Sequence, residues 1–154
     1  MARVIFYEKP GCGGNARQKA LLIASGHELD VRNLLAEPWT ASRLRPYFGS
    51  KPVRDWFNAS SPRVKSGEIR PEALSEEAAL ALMVADPLLI RHPLMQVGAR
   101  REAGFDQAVV DAWISLAPTP SPVTDTCLKH AAPVRSRGMQ DSGGMSSRPL
   151  GRRA

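Results

Sequence analysis

The chain has 154 residues, 43% of them hydrophobic and 23% charged, a composition that suits one folded domain and excludes wholesale disorder. Its longest strongly apolar uncharged run, Ala78 to Ala85, falls far short of the roughly 18–20 residues a bilayer span needs, so no membrane association is expected. Of the net charge of +6, four units lie from Thr119 onward, and the near-neutral remainder argues against a uniformly basic nucleic-acid-binding surface.

In chain order, Val4-Ile5-Phe6-Tyr7 reads as a buried strand from its β-branched and aromatic content. No long apolar leader precedes it, so a cytoplasmic location is expected. Lys9 to Gly14 is a Pro- and Gly-containing loop. A helix is expected from Asn15, with Ala16, Ala20, Ile23 and Ala24 at helical spacing and Ser25-Gly26 as its stop. His27 to Leu35 is a second strand, which makes the first 35 residues one βαβ unit.

Thr40 caps a helix expected to reach about Phe48, and Pro52 opens a short helix carrying Val53, Trp56 and Phe57. Ser60-Ser61-Pro62 is a break, followed by a connector. Ser75, with Glu76 and Glu77 behind it, starts a helix whose buried face is Leu80, Met83 and Val84, and Pro87 stops it. Leu94 to Val97 is a strand, with a turn at Gly98 and a hairpin return to Gly104. Asp106 caps a last helix with Val109, Val110, Trp113, Ile114 and Ala117 as its stripe.

A folded unit of residues 1–118 is expected, with a disordered basic tail over 119–154 rich in Pro, Ser, Gly and Arg. The tail is either a dispensable extension or an arm for an acidic partner or nucleic acid. Two cysteines, Cys12 and Cys127, are too few for a disulfide scaffold or an all-cysteine zinc site, and no metal site is expected.

Cys12 has the most specific local setting. It stands between a strand and a helix, where unpaired backbone N–H groups and the helix dipole favour a thiolate or a bound anion. Lys9 and Arg17 are near in sequence and could add positive charge. Two readings stay open: a reactive thiol, or a small residue in a tight turn. No second cysteine follows at the spacing of a two-cysteine exchange motif, so a redox cycle needs an external thiol or Cys127. Arg91-His92-Pro93 before a strand is consistent with a cis X-Pro bond. His92 is either an anion ligand or a polar residue before the proline.

Lys9-Pro10-Gly11-Cys12, Asn15-Ala16-Arg17-Gln18-Lys19, Val53-Arg54-Asp55-Trp56-Phe57-Asn58, Pro62 to Glu68 and Asp86 to Arg91 together resemble the thioredoxin-fold arsenate reductase/Spx-like family. The likeness runs from about Arg3 to Leu116 and is nearest to the nitrogenase-associated branch. It implies an α/β, thioredoxin-like (glutaredoxin-type) sheet with an inserted helical subdomain, and Pro93 as a cis-proline beside Cys12. It further implies Cys12 as the working thiol, with Gly13, Arg17, Arg91, His92 and Pro93 around an anion or thiol partner.

Arsenate reductases of this family hold the oxyanion with three arginines. Aligned without gaps, those positions fall here on Asn58, His92 and Ala103. Arg91, Arg100 and Arg101 are adjacent in sequence, but neighbours on a strand point to opposite faces. The resemblance implies an accessory thiol-redox or partner-binding role in nitrogen fixation, with nitrogenase components or a glutaredoxin as partners. No bound cofactor is expected, and glutathione or glutaredoxin would be the external reductant. The alternatives are a glutathione- or glutaredoxin-dependent arsenate reductase and an Spx-like regulatory interaction module.

Overall fold

A computed structural model describes residues 1–125. Strand β1 (Arg3–Glu8) leads through helix α1 (Gly13–Ala24) into β2 (Glu28–Asn33), which pairs parallel to β1 with Tyr7 opposite Arg32. Strands β3 (Leu94–Val97) and β4 (Arg100–Ala103) form a hairpin. β3 runs antiparallel to β1, with Tyr7 opposite Leu94, and completes a sheet of order β2-β1-β3-β4. The β1 and β3 strands are therefore central, and the alternation along β1 sends its side chains into two separate cores.

On one face Val4 and Phe6 pack with Leu21 and Leu22 of α1, with Met95 and Phe105, and with Val110 of α5 (Gln107–Ile114). On the other face Tyr7, Leu94 and Ala103 meet the inserted helical segment. That segment holds α2 (Ala41–Leu44), α3 (Pro62–Lys65), α4 (Glu76–Ala85) and single 3₁₀ turns between them. Its core is aromatic. Tyr7, Trp39 and Tyr47 form a cluster with centroids 4.9 to 6.2 Å apart, and Phe48 stacks on Trp56 at 4.7 Å. The backbone of the insert is sewn to the approach to β3 by Arg91 N–H to the Trp56 carbonyl (3.0 Å) and Asn58 N–H to the Leu89 carbonyl (2.8 Å).

Thr40, Ser75 and Asp106 cap their helices as expected, each side chain accepting from an amide of the first turn. The helix after Thr40 keeps α geometry only to Leu44, because Pro46 carries no amide hydrogen, and continues as a 3₁₀ turn to Tyr47. Ser61-Pro62, expected as a break, instead opens α3, since proline is well suited to a first helical position.

Three helix faces are corrected. In α1 the buried positions are Gly14, Asn15, Gln18, Leu21 and Leu22, and Ile23 is 61% exposed. Ala79 replaces Val84 on the buried face of α4. Helix α5 ends at Ile114 because Ser115 turns to φ 68°, and only Val110 of its expected stripe is fully buried.

The folded body also reaches past residue 118. Segment 119–125, expected as the start of the tail, lies against α1 and α5: Val123 is buried, its N–H donates to Gln107 Oε1 (2.7 Å), and Gln18 Nε2 donates to the Thr124 carbonyl (2.6 Å). Residues 126–154, including Cys127, lie outside the described residues. Among the described residues no helix is long and apolar enough to cross a membrane.

Candidate active site

Cys12 is the N-cap of α1. Gly11, at φ +84°, takes the left-handed turn that ends the β1 loop there, a conformation other residues resist. The Cys12 N–H donates to the Lys9 carbonyl (3.1 Å), and Sγ accepts the Asn15 N–H at 3.5 Å. The first turn contains no acidic residue to oppose negative charge on sulfur. Gly13 is the first helical residue. Cys12 itself is buried, with 4% exposure.

The turn is fixed by two buried amides that the sequence pattern did not single out. Asn15 Oδ1 accepts the Lys9 N–H (2.9 Å), and Asn15 Nδ2 donates to Gln18 Oε1 (2.9 Å). Gln18 then holds the Thr124 carbonyl. One relay of hydrogen bonds thus runs from the cysteine loop to segment 119–125.

The His92–Pro93 bond is cis and both residues are buried. The β1–β3 register, Tyr7 opposite Leu94, brings Pro93 level with the end of β1 where the cysteine loop departs. Beside it opens a cavity of about 310 Å³ walled by Arg54, Asn58, Ser60, Arg91, His92 and Asp125 among others. Cys12 is not one of its wall residues.

His92 is 4% exposed, and neither ring nitrogen has a hydrogen-bond partner among the described residues. Burial, reinforced by the positive charge of Lys9 and opposed by Asp125, pushes it down to about 4. The ring is therefore neutral at pH 7 and supplies no cationic charge to the cavity.

Arg91 is committed to contacts within the chain. Its Nε donates to Asp125 Oδ2 (2.6 Å) and its Nη1 to the Asp55 carbonyl (3.1 Å). Gly104 makes room for this pair. A Cβ there would meet both Arg91 Cζ and Asp125 Oδ2 at 2.7 Å, and its φ of +81° is a second reason for glycine.

Arg17 is exposed on α1 and borders the groove beneath Pro118 to Val123, away from the His92 cavity. Ala103 is buried in the core on the insert side. Arg100 lies over the Trp113 ring and Arg101 over Tyr47, and neither lines the cavity. Of the three expected arginine positions, then, Asn58 and a neutral His92 share a wall and Ala103 does not reach it.

The ArsC family model matches residues 7–113. The chain belongs to the ArsC family. A protein from Rhodospirillum rubrum, named as an uncharacterized 15.7 kDa protein in the draG 3' region, is 58% identical over 131 residues, covering 85% of this chain and 92% of the relative. An ArsC family related protein from Bacteroides fragilis superposes with a TM-score of 0.63 at 22% identity, over 71% of this chain and 97% of its own. Arsenate reductase from Vibrio cholerae gives 0.56 at 24% identity, over 66% and 89%. These structural likenesses establish the thioredoxin-like fold of the ArsC family member described here.

Arg54 and Asp125 are among the wall residues that sequence reasoning left without a role. Arg54 stands inside the Val53–Asn58 run that carries the family likeness. Asp125 had no local signal, because its partner is 34 residues away.

Proposed function

We propose that this ArsC family member is a thiol protein of nitrogen fixation, in which Cys12 exchanges disulfides with a protein or glutathione partner. The observation that carries the reading is the setting of Cys12 at the α1 N-terminus, its sulfur accepting a helix amide, on a body that presents none of the three oxyanion arginines. In the exchange, the Cys12 thiolate attacks a partner disulfide, forms a mixed disulfide and releases the partner's other sulfur as a thiolate. A second thiol, from glutathione or a glutaredoxin, attacks the partner sulfur and returns Cys12 as a thiolate. The helix amides favour the charged sulfur in both the entering and leaving steps.

Nitrogen fixation as the setting rests on the Rhodospirillum rubrum relative and the draG region in its name; nitrogenase components are the corresponding partners to test. Arsenate reduction fits less well. A doubly charged oxyanion at the His92 cavity would meet Arg54, the Asn58 amide, a neutral imidazole and an arginine already paired with Asp125, a carboxylate of the same wall.

Mass spectrometry of the full chain incubated with glutathione disulfide tests the thiol step. A glutathione adduct on Cys12, absent from Cys12→Ser and removed by glutaredoxin, is the expected result; no adduct overturns the redox reading. Cys12-dependent release of arsenite from arsenate, glutathione and glutaredoxin would replace it with the reductase. Co-purification with nitrogenase components from nitrogen-fixing cells tests the setting, and its failure leaves only the thiol chemistry.

A further inference from the structure

A second cavity, of about 360 Å³, opens where the insert leaves the sheet. Every strand contributes to its floor on one face. The cross-strand row Ile5–Gln96–Arg101 spans β1, β3 and β4, and the Tyr7–Arg32 pair adds β2. Ser42 and Arg43 of α2, with Tyr47 just beyond it, close the other side. Three guanidinium groups from three different elements thus border one opening.

The hydroxyls set the geometry. Tyr7 Oη accepts from Arg32 Nη1 and from Arg43 Nη2, each at 3.4 Å. Two like charges therefore converge on a single oxygen. Arg101 borders the same opening, its Cζ 5.9 Å from the Tyr47 ring centroid and its Nη1 donating to the Ala99 carbonyl (3.3 Å). Burial and the neighbouring Tyr7 push Tyr47 up to about 12, so its hydroxyl keeps its proton at neutral pH and donates it to Gln96 Oε1 (3.3 Å).

The charged residues in the wall of this cavity are all cationic. Asp30 pairs with Arg32 (2.8 Å) and Glu37 with Arg43 (3.0 Å), but neither carboxylate is a wall residue. Among the described residues, none of the ion pairs involves Arg101. A carboxylate ligand has two oxygens and is satisfied by one guanidinium fork. The Arg32 fork is held by Asp30, so a tetrahedral dianion, with oxygens in several directions, suits the site better: it can take single N–H groups left open on Arg32 and Arg43 together with Arg101 of β4.

We propose that this cleft binds a phosphate dianion, free or as the end group of a small phosphomonoester, with Arg32, Arg43 and Arg101 as its cationic contacts. The site is on the insert side of the sheet, whereas α1 and its Cys12 cap belong to the other side. It is independent of the thiol chemistry.

Calorimetric titration of the full chain at constant ionic strength tests the site, using inorganic phosphate, pyrophosphate, ribose 5-phosphate and adenosine monophosphate. Saturable binding is expected. Arg101→Gln should weaken it about ten- to hundredfold, the range for losing a charge-assisted hydrogen bond. Arg100→Gln is the control, since Arg100 is adjacent on β4 but turned toward Trp113 on the other face; it and Cys12→Ser should bind as the parent does. Arg43→Gln, at a half-exposed position, gives a second reading should Arg101→Gln fold poorly. Tighter binding of inorganic phosphate than of the monoesters would identify the free ion, and the reverse order an organic phosphate. Either order supports the site. Lack of saturation, or equal weakening by Arg100→Gln, overturns it.

Discussion

Among single residues, His92 makes the sharpest physical claim. A buried imidazole with both nitrogens unpartnered resists protonation, and the folded value of about 4 lies well below the ordinary 6.5. As pH falls from 6.5, the unfolded chain binds the proton first, so the folded state loses ground until about pH 4. Stability from this source is full above the unfolded value and falls by about 3 kcal/mol across the window. Urea unfolding at pH 7 and pH 4.5 should show that loss, and His92→Leu should lack this component of it. Parallel pH dependence in the two chains would mean the ring is hydrated and titrates normally. Gly104 supports a second expectation at this scale. Gly104→Ala drives a Cβ into the Arg91–Asp125 pair at a left-handed position, and should cost about 1–3 kcal/mol by thermal melting. Gly104→Ala melting like the parent would show that the pair moves aside freely.

Whole elements show which features could be read from the sequence and which could not. Helix starts were legible because a cap is local: Thr40, Ser75 and Asp106 each need only the next three residues, and Cys12 turned out to cap α1 in the same way. The face of α1 was not. Ala16, Ala20, Ile23 and Ala24 make the better apolar stripe, yet Asn15 and Gln18 point inward. Their partners are the cysteine loop and a carbonyl 106 residues away, and no window on the sequence contains both. Segment 119–125 was missed for the same reason, since its docking depends on Gln18, Gln107 and Arg91. The strand β1, the β3–β4 hairpin and the cysteine between strand and helix were all plain. That Arg91 would be held in an ion pair at the His92 cavity was not, because the pair is set by Gly104 and by Asp125, 34 residues away. A chain ending at Pro118 should therefore lose about 2 kcal/mol, mostly the burial of Val123 with a small share from a partly exposed ion pair. Because the Gln18 relay is cut as well, Cys12 should also react faster with iodoacetamide. An unchanged melting temperature with unchanged alkylation would show that the segment rests on the surface without holding it.

For the molecule as a whole, the question is which side of the sheet carries its stability. The α1–α5 side is a thin layer: Trp113, read from the sequence as a core residue, is half-buried beneath Arg100. The insert side holds the larger aromatic core, with Trp56 fully buried, stacked on Phe48, and donating its Nε1–H to the Lys51 carbonyl at 2.8 Å. Trp56 is also where the insert is joined to the β3 approach, since its carbonyl accepts the Arg91 N–H and its neighbour Phe57 bridges to Ile90. Arg54 and Asn58, two walls of the His92 cavity, lie within the same turn and just after it. Trp56→Ala should accordingly cost about 3–5 kcal/mol, the range for emptying a fully packed aromatic site. Trp113→Ala, which removes a ring already partly in water, should cost about 1–2 kcal/mol. Denaturant unfolding of both variants orders the two sides directly. A larger loss from Trp113→Ala would place the stabilising core under α5. The insert would then be a separable cover over the sheet, and the cavity walls it supplies would no longer be set by the fold's most stable part.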